Sequence, residues 1–246
     1  MGALLWPAAI GIGVVLGMFG AGGGMITVPA LIYLGDMSLK QAVAMSLWVV
    51  ALVSFAAMLQ QKIWRKLQIK LLVTLGVSGM IGSVAGAALA QRLSEQVQSG
   101  LFAVLIFLVA GWLAKVELAN RVEIFRFIPA TLIGLLIGIL TGILGVGGGF
   151  LLVPALLYLG ISHFPTAVAN SLVLITLNAS AGGVAYLGQS TVSLASVLLF
   201  SGVAALGTLV GGYLLRRLPN DQLQRSFNLM LLLLGTLMAW RTVSGA

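Results

Sequence analysis

Long apolar stretches separated by short polar loops run along the chain at about 3–34, 41–61, 69–91, 99–114, 128–160, 165–188, 192–215 and 226–240. Most are close to the ~20 residues that cross a bilayer as a helix. Their apolar positions do not alternate with polar ones, which excludes the short alternating strands of a membrane β-barrel. The pattern predicts an all-α polytopic membrane protein. Trp6, Trp64, Trp112 and Trp240 fall near the ends of stretches, where interfacial aromatic belts lie.

The first and fifth stretches are half again too long for one upright helix, and glycines interrupt both. The first reads Gly17-Met-Phe-Gly-Ala-Gly-Gly-Gly24-Met-Ile-Thr-Val-Pro29, and the fifth Gly142-Ile-Leu-Gly-Val-Gly-Gly-Gly149-Phe-Leu-Leu-Val-Pro154. Each glycine weakens a helix by about 1 kcal/mol relative to alanine. Pro29 and Pro154 then remove a backbone donor, so both are expected to act as helix breaks. Each stretch should form two half-helices around a glycine-rich break, either re-entrant or discontinuous.

The two stretches are copies. Gly17, Gly20, Gly22–Gly24, Val28–Leu31 and Tyr33–Gly35 recur at a constant offset of 125, since 142 − 17 = 125. The register continues through Ala42, Ala44, Ser46 and Leu47 to Ala167, Ala169, Ser171 and Leu172. It reaches Gly82, Gly86, Arg92 and Leu93, paired with Gly207, Gly211, Arg217 and Leu218. The chain therefore divides into a first transmembrane repeat at 1–114, a charged connector at 115–127 and a second repeat at 128–246.

Composition narrows the class. Hydrophobic residues make up 60% and charged residues 7%, against about 25% charged in soluble folds. A water-exposed surface cannot be built from this chain, which excludes a soluble enzyme or a disordered regulator. The net charge of +8 lies in short loops, so it signals orientation in the membrane rather than nucleic-acid binding. With no cysteine, disulfides, Cys-ligated metals and a thiol nucleophile are excluded. Met1–Pro7 lacks a basic segment, and the first apolar stretch is expected to belong to the mature protein.

The bases also bear on topology. If the first and fifth stretches dip in and return on one side, Lys62, Arg65, Lys66, Lys70, Lys115, Arg121, Arg126, Arg216, Arg217 and Arg225 share a face. Only Lys40, Arg92 and Arg241 lie opposite. The loop at 60–70 is rich in bases while its copy at 188–192 has none. These asymmetries predict two inverted four-segment repeats, a basic cytoplasmic face and both termini outside the cytoplasm.

Paired glycine breaks in inverted halves point to a binding site near the midplane. Glycine lets amides approach a ligand, and the half-helices starting near Met25 and Phe150 aim their positive ends inward. Together these make an anion site. Asp36, Glu95, Glu117, Glu123 and Asp221 are all at predicted ends or loops, so no span carries a carboxylate for a cation or proton relay. Candidate ligand groups are Gly22, Gly23, Gly24, Gly147, Gly148 and Gly149, the repeat-equivalent Ser46 and Ser171, and Asn170. Further polar groups are Ser54, Gln60, Gln61, Thr176, Asn178, Ser180 and Tyr186. Gly82, Gly86, Gly134, Gly138, Gly142, Gly207 and Gly211 read instead as close helix packing. His163 is the only histidine, so no metal, haem or other cofactor is expected. No nucleophile–base pair can be assembled in the membrane, so the chain is not expected to be an enzyme.

The motif Gly-x-Gly-Gly-Gly-x4-Pro-x-Leu (Gly20 to Leu31), then Ala42-x-Ala-x-Ser46-Leu47, is duplicated from Gly145 to Leu156 and Ala167 to Leu172. In this it resembles the TauE/SafE sulfite-exporter family. The resemblance implies a multi-pass permease of a bacterial-type cytoplasmic membrane for small oxyanions such as sulfite, thiosulfate or organosulfonates. Its partners would be a small anion and the lipid bilayer, with no nucleic acid. The expected function is a secondary transporter working by alternating access, with a passive anion channel as the alternative. Asn170 stands where the first copy has Met45, which predicts an asymmetric site.

Overall fold

A computed structural model describes residues 4–20, 23–61, 67–115, 127–161, 163–187 and 193–244. Its helices are α1 (Leu5–Phe19), α2 (Gly23–Tyr33), α3 (Leu39–Gln61), α4 (Ile69–Ala90), α5 (Glu95–Lys115), α6 (Phe127–Leu144), α7 (Gly149–Tyr158), α8 (Phe164–Ala185), α9 (Leu194–Arg217) and α10 (Asn220–Ser244). No strand occurs among the described residues. Gly22, the basic loop at 62–66, most of the connector and the loop at 188–192 lie outside them.

Helices α3, α4, α8 and α9 are long and apolar enough to cross a bilayer. The first and fifth stretches are each split in two. With 15 and 11 residues, α1 and α2 rise about 22 and 16 Å, short of the ~30 Å hydrocarbon core. Glycines make the break. Gly20 ends α1 in the left-handed conformation (φ 56°), its N–H donating to the Leu16 carbonyl, and Gly148 opens α7 with φ 67°. Pro29 and Pro154 do not break the chain. They lie inside α2 and α7, where each only removes the donor that Met25 or Phe150 would otherwise have met.

The halves are interlocked. α1 packs on α9, α4 on α6, α3 on α8 and α5 on α10. Glycine allows the first two contacts: a Cβ on Gly82 or Gly86 would overlap the Leu135 or Ile139 carbonyl, and one on Gly207 or Gly211 the Ile10 or Val14 carbonyl. Gly134, Gly138 and Gly142 meet the α4 backbone in the same way, so the packing reading of these residues holds. Gly82→Ala should therefore lower the melting temperature of the detergent-solubilised protein by several degrees. Gly202→Ala, whose Cβ meets nothing within 4 Å, should leave it unchanged or slightly raised. Equal melting of the two variants would contradict the packing account.

The contacts also give helix directions. Gly13 meets Ala204 and Gly17 meets Thr208, so α1 and α9 run parallel; Gly138 meets Gly79 and Gly142 meets Ser83, so α4 and α6 do too. α8 runs with α4, through Asn178 on Gly79 and Gly182 on Ser83. α3 and α8 run antiparallel, joined by Trp48 on Gly183 and by a 2.9 Å hydrogen bond between the Ser54 and Thr176 hydroxyls.

The outer surface is apolar. Val73, Val77 and Ile81 on α4 and Leu198, Leu206 and Val210 on α9 are more than half exposed. That surface suits lipid and would not keep a soluble protein monomeric. Polar side chains are found inside: Thr27, Ser46, Ser54, Ser83, Asn170, Ser171, Asn178 and Thr208 are buried, and no charged residue is among the buried described residues.

Candidate substrate site

The two glycine breaks meet at the centre of the protein. A Cβ on Gly24, at the start of α2, would overlap the main chain of Val146 in the second break. Each half-helix begins folded back on the one before it: Gly23 lies against Leu16, and Gly148 against Thr141 and Ile137. The start of α2 therefore lies close to the start of α7 at Gly149. The first-turn amides of a helix have no acceptor within it, and each start carries about half a positive charge. Two such ends face one buried region.

The carbonyls orphaned at the ends of α1 and α6 are capped by repeat-equivalent side chains. Gln61 Nε2 donates to the Gly17 carbonyl at 2.9 Å, and the Tyr186 hydroxyl donates to the Gly142 carbonyl at 3.2 Å. Since 186 − 61 = 125, these are the same position in the two halves. Gln98 Nε2 donates to the Ile143 carbonyl. Gln61 and Tyr186, read from sequence as available polar groups, thus hold the breaks in shape.

The equivalent serines differ. Each lies on the helix facing the other half's break. Val168 and Ser171 of α8 lie against Gly20, while Val43 of α3 lies against Gly145 and Val50 against Gly147. Ser46 falls between Val43 and Val50 on that face of α3. The Ser171 hydroxyl donates at 2.9 Å to the Gly20 carbonyl and also lies 2.8 Å from the Val168 carbonyl. Ser46 is fully buried, and its hydroxyl has no hydrogen-bond partner. Asn170 accepts from the Gln68 N–H at 2.9 Å and donates to the Thr166 carbonyl at 2.8 Å, tying α8 to the start of α4. Gln60 and Thr208 hydrogen-bond at 2.5 Å.

The sequence candidates are therefore partly brought together. Gly23, Gly24, Gly147, Gly148, Gly149 and Ser46 surround the junction, Ser171 braces it, and Asn170 works at a helix start. Gly22 lies outside the described residues. Clefts of about 480 Å³ beside Trp48 and about 610 Å³ beside Pro154 are lined almost wholly by apolar side chains. Their only lining residues with a polar group are Trp48 and Tyr186 in the first and Tyr158 in the second. The polar junction is the better candidate.

An apolar exterior, bilayer-length helices and a buried, uncharged polar centre at paired helix breaks define a multi-pass helical membrane protein. The profile of the sulfite exporter TauE/SafE family matches residues 5–238. The chain belongs to that family and is a membrane transporter. It is 28% identical over 204 residues to a probable membrane transporter protein of Methanocaldococcus jannaschii, covering 76% of this chain and 74% of the relative. It is 24% identical over 250 residues to the probable membrane transporter protein YunE of Bacillus subtilis, covering 91% and 92%. No solved structure matches.

Proposed function

We propose that the protein is a secondary transporter of small sulfur-containing anions such as sulfite, thiosulfate or organosulfonates. It works by alternating access in a bacterial-type cytoplasmic membrane. The observation that carries this reading is the meeting of two half-helix starts beside the unpartnered Ser46 hydroxyl, with no buried charge of either sign among the described residues. Partly buried helix ends contribute up to about 2 kcal/mol each toward an anion, whereas a cation there would meet no countercharge. Amides at Gly22, Gly23, Gly24, Gly147, Gly148 and Gly149 and the Ser46 hydroxyl bind the anion. Ser171 and Asn170 position these groups.

A carrier fits better than a channel because the two breaks touch at Gly24 and Val146 and close the centre. Saturable counterflow of labelled sulfite in proteoliposomes is the expected result. Single-channel currents without counterflow would reject the carrier.

Alternating access uses inverted halves, and the helix directions support them. Equivalent helices α3 and α8 run antiparallel, and the parallel pairs α1–α9 and α4–α6 link each half to the other. The start of α4 should then face the cytoplasm with its neighbouring bases, and the start of α9 the opposite side. In this cysteine-free chain, Lys70→Cys should react with an impermeant maleimide only from the cytoplasmic side. Ser193→Cys should react only from outside. Labelling of both from one side would reject inversion.

A further inference from the structure

Asn178 is fully buried in α8, and neither its Nδ2 nor its Oδ1 has a hydrogen-bond partner. Its side chain lies on the bare backbone of Gly79, where a Cβ would stand 2.6 Å from Oδ1 and 2.7 Å from Nδ2. Ser83 is close, but its hydroxyl donates to the Asn178 main-chain carbonyl at 2.8 Å and leaves the carboxamide unserved. A buried carboxamide in this condition is unfavourable unless something else uses it.

Position connects it to the junction. Val168, Ser171, Ile175, Asn178 and Gly182 form one buried face of α8 at helical spacing. Val168 and Ser171 touch the first glycine break, Ile175 touches Gly147 of the second, and Asn178 follows one turn later. The matching face of α3 is Val43, Ser46, Val50, Val53 and Ala57, also buried. Ser46 and Asn178 are the polar side chains on these two faces whose hydrogen bonds are not made. The fold does not require the carboxamide, because its repeat equivalent is the fully buried Val53.

We propose that the Asn178 carboxamide binds substrate, and that the site takes a singly charged oxyanion still carrying a proton, such as hydrogensulfite, over the dianion. This rests on the anion-transport reading above. Two half-helix starts supply about one positive charge in all, and no buried described residue adds to it. One negative charge is matched. A second is not, and the desolvation cost rises steeply with charge. The carboxamide offers N–H donors and one carbonyl acceptor, which together suit an anion bearing both O⁻ and O–H. Against a dianion the acceptor would be repulsive.

The ionisable groups on the surrounding helices are few. Among the described groups, Lys40 on α3, Lys70 on α4, His163 before α8, Tyr158 on α7 and Asp221 and Arg225 on α10 are exposed near helix ends, α6 carries none, and Tyr186 is engaged at Gly142. The pH dependence of binding therefore belongs to the substrate.

The test is calorimetric titration of the purified full-length protein with sulfite, sulfate and methanesulfonate from pH 6 to 8. The second ionisation of sulfite lies near neutrality. Affinity for total sulfite should then fall several-fold between pH 6 and pH 8 as hydrogensulfite loses its proton. Methanesulfonate, a permanent monoanion, should bind with no pH dependence, and sulfate at least about tenfold more weakly than hydrogensulfite. Asn178→Val, copying the first repeat, should weaken hydrogensulfite about tenfold and remove its advantage over methanesulfonate, which has no proton to donate. Sulfite affinity that is constant or rises with pH, sulfate binding equal to hydrogensulfite, or an Asn178→Val variant that binds like the parent would overturn the proposal. The pH and sulfate arms use the unmodified protein, so they decide even if the variant does not fold. Binding of none of the three anions would overturn the transport reading as well. Preferential binding of a dianion would overturn this inference alone.

Discussion

Gly148→Ala and Gly24→Ala should each reduce anion counterflow by more than tenfold. Gly148 has φ 67°, and an L side chain in the left-handed region costs about 1–2 kcal/mol. Its new Cβ would also overlap Thr141 Oγ1 and stand 3.0 Å from Ile137 Cγ2. The second variant acts differently. At Gly24 the obstacle is the Val146 carbonyl, which cannot rotate away, so the two breaks must separate. Thr141→Ala should restore part of the activity of Gly148→Ala by removing the hydroxyl, since Thr141 Cβ itself stays 3.6 Å from the added methyl. No second substitution of a side chain should restore Gly24→Ala. Full activity in either single variant would show that the junction tolerates expansion, contrary to the geometry.

Ser46→Ala and Ser171→Ala should part ways, although the serines are repeat equivalents. Ser46 has no hydrogen-bond partner within the protein, so its removal should leave the melting temperature unchanged or higher. Anion affinity should fall about tenfold, as for the loss of one charged hydrogen bond. Ser171→Ala removes the donor to the Gly20 carbonyl, leaving a buried acceptor unpaired at a cost of about 1–3 kcal/mol. It should melt earlier, and its affinity should fall through disorder of the break. Melting curves and sulfite titrations on the same preparations separate the two effects. If Ser46→Ala is destabilised while keeping parental affinity, that hydroxyl is structural and the assignment to substrate fails.

Much of this was legible along the chain. Apolar stretches of bilayer length, glycine runs that weaken a helix and a copy displaced by 125 residues are local properties. Hydropathy and backbone propensity act through a residue's near neighbours, so the split of each long stretch around its glycine-rich run could be read from the local sequence. The packing role of Gly82 and Gly207 was legible for the same reason. Pro29 and Pro154 were misread as breaks because proline weakens a helix without preventing it. Glycines already ended the preceding helix, and the next one continues through the proline.

The sequence by itself determined the membrane class, the twofold plan and the placement of charged residues in loops and at the ends of apolar stretches. Only the tertiary structure decided which polar groups are already engaged. Gln61 and Gly17 are 44 residues apart, Gln68 and Asn170 102, and Ser171 and Gly20 151. Whether a serine meets a carbonyl at such separations depends on how the helices cross, because a hydrogen bond is made or lost within a few tenths of an ångström. Two repeat-equivalent serines in the shared Ala-Val-Ala-x-Ser-Leu pattern therefore end differently: one braces a glycine break and the other is left with a free hydroxyl.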